Sequence, residues 1–492
     1  MIIIGGGMAG LSAGTYAQRC GFQSTIFESH TRPGGVCTSW RRGPYLMDAG
    51  IRMIIGTAPP NPFYYFLREV GVIPSVTFSS MPQFQCVEDE KGHCVHFYRD
   101  LDRLSSHLLE VAPEDGDRVR EFLDILESFS RFHPSLDAPP ERLGLKSGLK
   151  SLAALGPVAR LFIKYWKKPL GGWLSSFKSP AIRNAFLKIY TIEDFPLLAM
   201  FTSMGWFIGG YVGKPAAGSQ AITAAVADTY ARLGGDLRCG QRVEKILVRS
   251  GKAVGVRLED GAEHRADIVI SAADGYATLF NMLGEEYVDK AISGYYRTLP
   301  LFKPLVVVQF GAKVDFKKQP ESINFPIRRQ FSIFDRAVRS ISLHHTGGSE
   351  LFAPAGHSTV GIGIETDYEP WAELAGRRGR YRREKERIAD ELLDRLEERF
   401  PGFARNVAVR DVATPVTTVR YTGNRKGAYE GWQPTTRTFG MRMKRKLGGL
   451  RNFYMTGQWV EPGGGIPGVL FNARTTLQII CGDRGRTFEP GP

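Results

Sequence analysis

Residues 1–14 read MIIIGGGMAGLSAG, an apolar run that leads directly into the pattern G-x-G-x-x-G. The run is typical of a strand buried on both faces, and the pattern opens a helix whose unpaired N–H groups favour a diphosphate. The first glycine permits a tight turn, the second lets the backbone approach the diphosphate, and the third lets the helix pack closely on the sheet. We therefore predict a dinucleotide site with contacts from Gly5, Gly7, Met8, Ala9 and Gly10.

A second apolar segment, 24–27, ends in Glu28. An acidic residue about 20 residues after the glycines can accept hydrogen bonds from the hydroxyls of an adenosine ribose. Glycine-rich turns also occur by chance, but strand, helix and second strand follow here in the order that a dinucleotide fold requires. We therefore predict that Glu28 binds the ribose.

The chain has 492 residues, more than one ordinary core holds, so we expect at least two domains. Apolar residues make up 43% and charged residues 23%, as in soluble globular enzymes. No apolar stretch of about 18 residues and no charged leader is present, so we expect a cytoplasmic protein. The 6 cysteines lack C-x-x-C spacing and the 9 histidines lack metal spacing, so we expect neither a zinc site nor a disulfide framework.

Positive charge is concentrated in two blocks of a chain whose net charge is +14. Residues 142–192 and 436–453 contain many lysines and arginines, interleaved with bulky apolar residues, and no acid. This pattern favours an anionic membrane surface, so we expect a peripheral location on the inner face of the cell membrane. A solvated basic face without a partner is the alternative. No nucleic-acid motif accompanies the blocks, so we expect no nucleic-acid partner.

Two apolar segments each have two interpretations. Over 157–168, Val158, Leu161, Phe162 and Tyr165 share one face at helical spacing. That face could pack on the core, or it could lie in a membrane surface. The charge-free run 195–212 could be buried core, or it could line an apolar substrate cavity.

The segment from Glu28 continues through the PGG triplet at 33–35 and Trp40 to Gly43 and Tyr45. By itself the glycine pair could form a hairpin turn. Together these residues resemble the second flavin motif of the phytoene desaturase, carotenoid isomerase and retinol saturase-like family, which belongs to the amine oxidase-like flavoproteins. The resemblance implies FAD as cofactor and an α/β fold, in which a Rossmann-like, GR2-type FAD-binding domain is joined to a discontinuous α+β substrate domain.

The alternation of strands and helices supports this division. It is present over 1–75, 215–290 and 401–492, which we predict to form one discontinuous FAD-binding domain. It is lost over 76–214 and 291–400, which we predict to form the substrate-binding domain.

The resemblance also assigns further residues to the flavin. Val36 stands where the wider group often has an arginine, and Gln458 stands where it usually has an acid. The glycines at 463–465 precede a helix, predicted from about 469, whose positive dipole end would face the flavin. The residues that the resemblance places in FAD binding, beyond those of the first turn and Glu28, are Gly34, Gly35, Val36, Thr38, Arg52, Val243, Gly457, Gln458, Gly465 and Ile466.

Arg52 and Glu461 are the polar residues that these motifs place near the flavin ring, and we nominate both as catalytic. The alternatives are that Arg52 supports the cofactor and that Glu461 caps a turn. No second G-x-G-x-x-G follows a strand, so the sequence shows no dedicated NAD(P)H domain.

The resemblance implies an FAD-dependent oxidoreductase that desaturates or saturates C–C bonds of an apolar isoprenoid or polyene, such as a carotenoid or retinoid. The alternatives are an amine oxidase-like enzyme acting on a small amine, and a flavoprotein without net redox turnover that isomerises or carries a lipid.

Overall fold

A computed structural model of the protein describes residues 1–48, 50–142 and 155–491. Its centre is a five-stranded parallel sheet in which the first strand of the chain is separated from the last by a single strand. In spatial order the strands are Asp236–Cys239, Thr25–Glu28, Ile2–Ile4, Val269–Ser271 and Phe453–Met455. The predicted α/β fold with a Rossmann-like nucleotide-binding sheet is confirmed.

Helices cover this sheet because their apolar sides are buried against it. Leu11, Tyr16, Val226 and Leu477 are fully buried in one cluster with the apolar side chains of the strands. The helices that contribute to this cluster are Met8–Arg19, Pro62–Glu69, Ser219–Arg232 and Gly465–Asp483.

A three-stranded antiparallel sheet, formed by Val243–Arg249, Lys252–Leu258 and Glu263–Arg265, packs beside the parallel sheet. The segment from 236 to 249 is divided between the two sheets. Gly240 has φ +73°, which turns the chain, so 236–239 joins the parallel sheet and a new strand begins at Val243.

A seven-stranded sheet forms the second large layer. Its order is Val407–Ala413, Leu305–Ala312, Ser358–Glu365, Arg336–His345, Ser322–Ile333, Gln83–Glu88 and Cys94–Tyr98. The helix Arg378–Arg399 buries Ile388, Leu392 and Leu396 against it. The strand 407–413 pairs with 305–312 in this sheet, although the sequence analysis assigned it to the FAD-binding part. The domain boundaries as a whole stay a prediction.

Helices between residues 101 and 208 form a separate core. The helix Leu197–Ile208, from the charge-free run, packs so closely on Gly116–Ser130 that a Cβ added to Gly205 would lie 2.5 Å from the Cβ of Phe129. Most of this run is therefore buried core, which favours the first of its two interpretations. The other helices of this core are Leu101–Val111, Ala159–Tyr165, Leu170–Leu174 and Pro180–Tyr190.

Smaller elements complete the described part of the chain. The remaining strands pair Ser39–Arg42 with Tyr45–Asp48, and Val212–Pro215 with both Ile54–Ile55 and Phe78–Ser80. The remaining helices are Lys290–Thr298, Tyr368–Ala375 and Pro415–Thr422, with a π-helix at Ala277–Met282 and single 3₁₀ turns at Pro113–Asp115, Pro140–Arg142, Gly156–Val158, Ala404–Asn406 and Arg425–Gly427.

The segment near 157–168 does not place its apolar face on the surface, as a membrane helix would. Val158 and Tyr165 are buried in the helical core, and Leu161 and Phe162 pack against it, so this apolar face is not available to a membrane. Residues 143–154 of the first basic block lie outside the described residues. None of the described helices is both long and apolar enough to cross a bilayer.

The second basic block is largely neutralised by distant acids. Lys444 pairs with Asp289, Lys446 with Asp483 at 2.8 Å, and the buried Arg445 with Glu141 at 2.8 Å. Arg442 also lies 3.8 Å from Glu461, so four of the six cations of this block are paired, and the block does not present the unopposed positive surface that the sequence suggested.

Candidate functional site

The first glycine turn has the geometry that its spacing predicts. Gly5 has φ +97°, and a Cβ on Gly10 would lie only 1.8 Å from the carbonyl oxygen of Gly5. Gly7 is the N-cap of the first helix and provides no side-chain cap, so the N–H groups of the first turn face outward. Apart from its chain neighbours, a Cβ on Gly7 would meet no atom of the described residues closer than 4.0 Å, which leaves room for a ligand.

Glu28 lies at the carboxyl end of the second strand and is only 7% exposed. Its Oε2 accepts a hydrogen bond from the Gly6 N–H at 2.6 Å, and its Oε1 accepts one from the His30 N–H at 2.7 Å. The Gln241 N–H donates to the Glu28 carbonyl at 2.8 Å, so the chain leading to Val243 borders this corner. The Val243 side chain is buried core, and its backbone contact with adenine stays a prediction.

The second motif lies directly against the first. Gly34 and Gly35 have φ of +133° and +60°, and the Gly34 N–H donates to the Gly6 carbonyl at 3.0 Å. Thr38 donates its hydroxyl to Gln220 at 3.2 Å, at the start of the helix 219–232. Val36 lies between these two contacts and is half-buried.

The last motif of the chain contacts the first helical turn. Gly457 has φ +90°, and a Cβ at this position would lie 2.9 Å from the Cβ of Ala9. Met8 is buried next to Ala9. Gln458 is half-buried and packs on Gly431. A Cβ added to Gly431 would lie 3.0 Å from the carbonyl oxygen of Gln458. The two ends of the chain therefore meet at one place.

The helix Gly465–Asp483 begins in this corner, four residues before the predicted start. Gly463, Gly464 and Gly465 all have positive φ, which keeps the chain compact before the helix. The N-cap Gly464 makes no side-chain cap, so the first N–H groups are open to a ligand, and the helix dipole adds positive potential there. Ile466, in the first turn, packs on the core of the parallel sheet.

A polar cluster borders this helix start. The Cβ of Glu430 lies 2.4 Å from the position that a Cβ on Gly464 would occupy, so only glycine fits beside it. The Glu430 carboxylate makes no hydrogen bond or ion pair with any described residue, and burial raises its pKa to about 7. Its neighbour Tyr429 also has a pKa raised by burial, and the charges of Glu430 and Arg52 act on it in opposite directions.

Arg52 also lies close enough to Tyr429 for its charge to act on the pKa of that phenol. A Cβ on Gly363 would lie 3.3 Å from its guanidinium Nη2, and its charge helps burial to hold the pKa of His344 well below the usual range. Within the described ranges Arg52 has no hydrogen-bond or ion-pair partner, and burial lowers its pKa. The residue is nevertheless exposed, so its side chain faces open space rather than packed protein.

The structure does not bring the two nominated catalytic residues into one cluster. Glu461 lies beside Arg442, at 3.8 Å, with Asn472 and Arg445 near by, and burial raises the pKa of Glu461. Arg52 and Glu430 instead both act on the pKa of Tyr429, and Glu430 was not among the residues nominated from the sequence. A signal was present in the sequence, because Glu430 lies in a short segment bounded by Gly427 and Gly431. The catalytic assignments stay predictions.

The residues of this corner fit a flavin dinucleotide. Glu28 suits a ribose, the open start of the first helix suits a diphosphate, and the start of the last helix offers N–H groups to the ring. No side chain caps the start of the first helix, and the space beside Gly7 is open. A larger side chain at position 7 would fill this space. Fold and site therefore define an FAD-dependent oxidoreductase.

Comparison with known proteins agrees with this class. Residues 8–480 match the family of flavin-containing amine oxidoreductases, and the chain belongs to this family. Among curated proteins, it is 25% identical to prolycopene isomerase 2 of an Oncidium hybrid cultivar, covering 98% of this chain and 84% of that protein. It is 24% identical to the lycopene-forming phytoene desaturase of a Paracoccus species, over 98% of this chain and 97% of the relative.

Among solved structures, an oxidoreductase from Methanosarcina mazei aligns with a TM-score of 0.60 at 18% identity. The alignment covers 97% of this chain and 99% of that one. At this identity the structural likeness supports the fold alone. The predicted class, an FAD-dependent oxidoreductase, is confirmed by the match to the family of flavin-containing amine oxidoreductases.

Proposed function

We propose that this protein desaturates carbon–carbon bonds of a long apolar polyene of the carotenoid type. The full-length relatives named for phytoene desaturation support the substrate class. The observation that carries the chemistry is the buried carboxyl of Glu430, which lies beside the start of the last helix and has no hydrogen-bond or ion-pair partner among the described residues.

Desaturation removes a hydride from one carbon and a proton from its neighbour. Bound FAD supplies the two-electron acceptor for the hydride. Glu430 takes the proton on its carboxylate, because a base whose pKa lies near neutral pH accepts and releases protons efficiently. The guanidinium of Arg52 supplies positive charge near Tyr429, the neighbour of Glu430 in the chain.

Isomerisation of a polyene double bond is the second candidate, because several relatives are named as prolycopene isomerases. It predicts a product with the same mass as its substrate. Desaturation predicts a product two hydrogens lighter, so mass spectrometry of the extracted polyene separates the two reactions.

The test of the proton acceptor compares Glu430→Gln with Glu461→Gln in single turnovers on phytoene in mixed micelles. Removal of a general base costs about 10²–10⁴-fold in rate. We expect Glu430→Gln to lose at least about 100-fold while it keeps its FAD, and Glu461→Gln to lose less. The wild-type rate should rise as the pH rises to about 7 and then level off, because the ionised carboxylate is the active form. An unchanged rate and pH profile in Glu430→Gln would remove this residue from the mechanism.

We also propose that the protein collects its substrate at an anionic membrane surface, a step that rests on different residues. Ile163 is 77% exposed and Trp166 is 49% exposed, next to the exposed Lys167 and Lys168. The Trp166 ring packs on Phe439 at 5.4 Å, so part of the second basic block adjoins the first. Exposed apolar side chains between lysines suit insertion into the headgroup region of anionic lipids.

The matched comparison is the double variant Ile163→Asp/Trp166→Asp against Leu351→Asp, since Leu351 is 53% exposed elsewhere. In sedimentation with vesicles containing phosphatidylglycerol at low salt, wild type and Leu351→Asp should pellet and the double variant should remain in the supernatant. Equal pelleting of all three proteins would refute docking through Ile163 and Trp166.

A further inference from the structure

We propose that Cys86, Cys94 and His96 form a zinc-binding site at the edge of the seven-stranded sheet. One ligand atom from each of the three residues lies within 4.8 Å of the other two. The strands Gln83–Glu88 and Cys94–Tyr98 are antiparallel, with Cys86 opposite His96 and Glu88 opposite Cys94. The three side chains therefore project from the same face of the hairpin.

The ligand chemistry favours zinc over a hard cation. Thiolate sulfur and imidazole nitrogen are the donors that Zn²⁺ prefers, whereas Mg²⁺ and Ca²⁺ require oxygen. Cys86 is fully buried, while Cys94 and His96 are partly exposed, so an ion can enter from solvent and keep a water molecule as fourth ligand.

The surroundings orient the histidine as a ligand. Its Nδ1 lies 3.3 Å from the amide oxygen of Gln83, which leaves Nε2 for the metal. Its backbone N–H donates to Nε2 of His107 at 2.9 Å, and the His107 ring lies edge-on to the His96 ring with centroids 5.2 Å apart, so the neighbouring helix supports the ring. Metal-bound histidines usually donate their other ring N–H to an oxygen in this way.

Charge around the site also permits a divalent cation. Two thiolates balance one Zn²⁺, and the nearby Glu88 is paired with Arg399 at 2.8 Å, so this ion pair adds no net charge. The spacing of the cysteines along the chain predicts no zinc site, because no C-x-x-C motif is present. The hairpin brings them together across its turn, which spacing along the chain does not reveal.

The test uses the reduced, FAD-loaded protein after removal of metals with a chelator. Titration with Zn²⁺ against a chromophoric chelator should show about one ion per chain, and Co²⁺ should give the absorption of thiolate-bound cobalt. Cys94→Ser and His96→Gln should weaken zinc binding by more than about 100-fold. Cys239→Ser, a partly exposed cysteine elsewhere, is the matched control and should bind zinc as wild type does.

The flavin absorbance of each variant shows that it has folded, and it does not depend on the proposed desaturation. The proposal is overturned if wild type binds no more zinc than Cys94→Ser/His96→Gln, or if Cys94→Ser retains wild-type affinity. It is also overturned if Cys86 and Cys94 are joined in a disulfide that persists under reducing conditions, because a disulfide cannot supply two thiolates.

Discussion

Replacing Gly7 with alanine should separate cofactor binding from folding. Gly7 has φ −73° and ψ −179°, which alanine adopts without strain, and an added Cβ would lie at least 4.0 Å from the atoms of all described residues other than its chain neighbours. The free energy of unfolding of the apoprotein should therefore change by less than about 0.5 kcal/mol.

The same Cβ projects where a diphosphate must approach the helix start, so binding should suffer. A hydrogen bond to a charged group contributes about 1.5–3 kcal/mol, and loss of one such bond weakens binding by about 10–150-fold. The assay is titration of apoprotein with FAD, followed by quenching of flavin fluorescence, together with urea denaturation of the apoprotein.

Gly10→Ala is the contrasting variant, since its Cβ would lie 1.8 Å from the carbonyl oxygen of Gly5 and backbone would have to move. It should lose stability by about 1–3 kcal/mol or more in addition to FAD affinity. If Gly7→Ala binds FAD as tightly as wild type, the diphosphate does not lie at this turn and the reasoning fails.

Glu28→Gln should weaken FAD binding by about tenfold in the same titration, because the amide has one acceptor oxygen where the carboxylate has two; unchanged affinity would argue against a ribose contact. Gly205→Ala should destabilise the protein by about 1–3 kcal/mol in urea, since its Cβ would lie 2.5 Å from the Phe129 Cβ, and full stability would show that the two helices can separate at no cost. Burial raises the pKa of Asp274 to about 6, against an ordinary value of about 3.9, so the folded state holds this proton more tightly than the unfolded chain. Stability should therefore fall by up to about 3 kcal/mol as the pH rises from about 4 to 6, and Asp274→Asn, compared with wild type by denaturation across this range, should lack that fall.

The parts of the fold that depend on local pattern could be predicted from the sequence. Gly5, after the first strand, has the positive φ that its turn requires, and Glu28 ends the second strand as predicted. The glycines at 463–465 precede the last helix as predicted, although that helix begins four residues earlier than expected. The resemblance to known flavoproteins linked the two ends of the chain.

Features that depend on partners distant in sequence could not be predicted. Glu430 is an unremarkable acid until folding buries it beside Gly464, and its raised pKa follows from that burial. The cations Lys444 and Arg445 lie in an acid-free segment, but their partners, Asp289 and Glu141, come from elsewhere in the chain. Charge blocks along a sequence therefore did not show the charge of the surface.

The most direct test of the proposed function is anaerobic stopped-flow mixing of the FAD-loaded protein with phytoene in mixed micelles. We predict that the absorbance of oxidised flavin falls in a single turnover and that the extracted polyene is two hydrogens lighter. An unchanged flavin spectrum, with a polyene of unchanged mass, would contradict desaturation at this site.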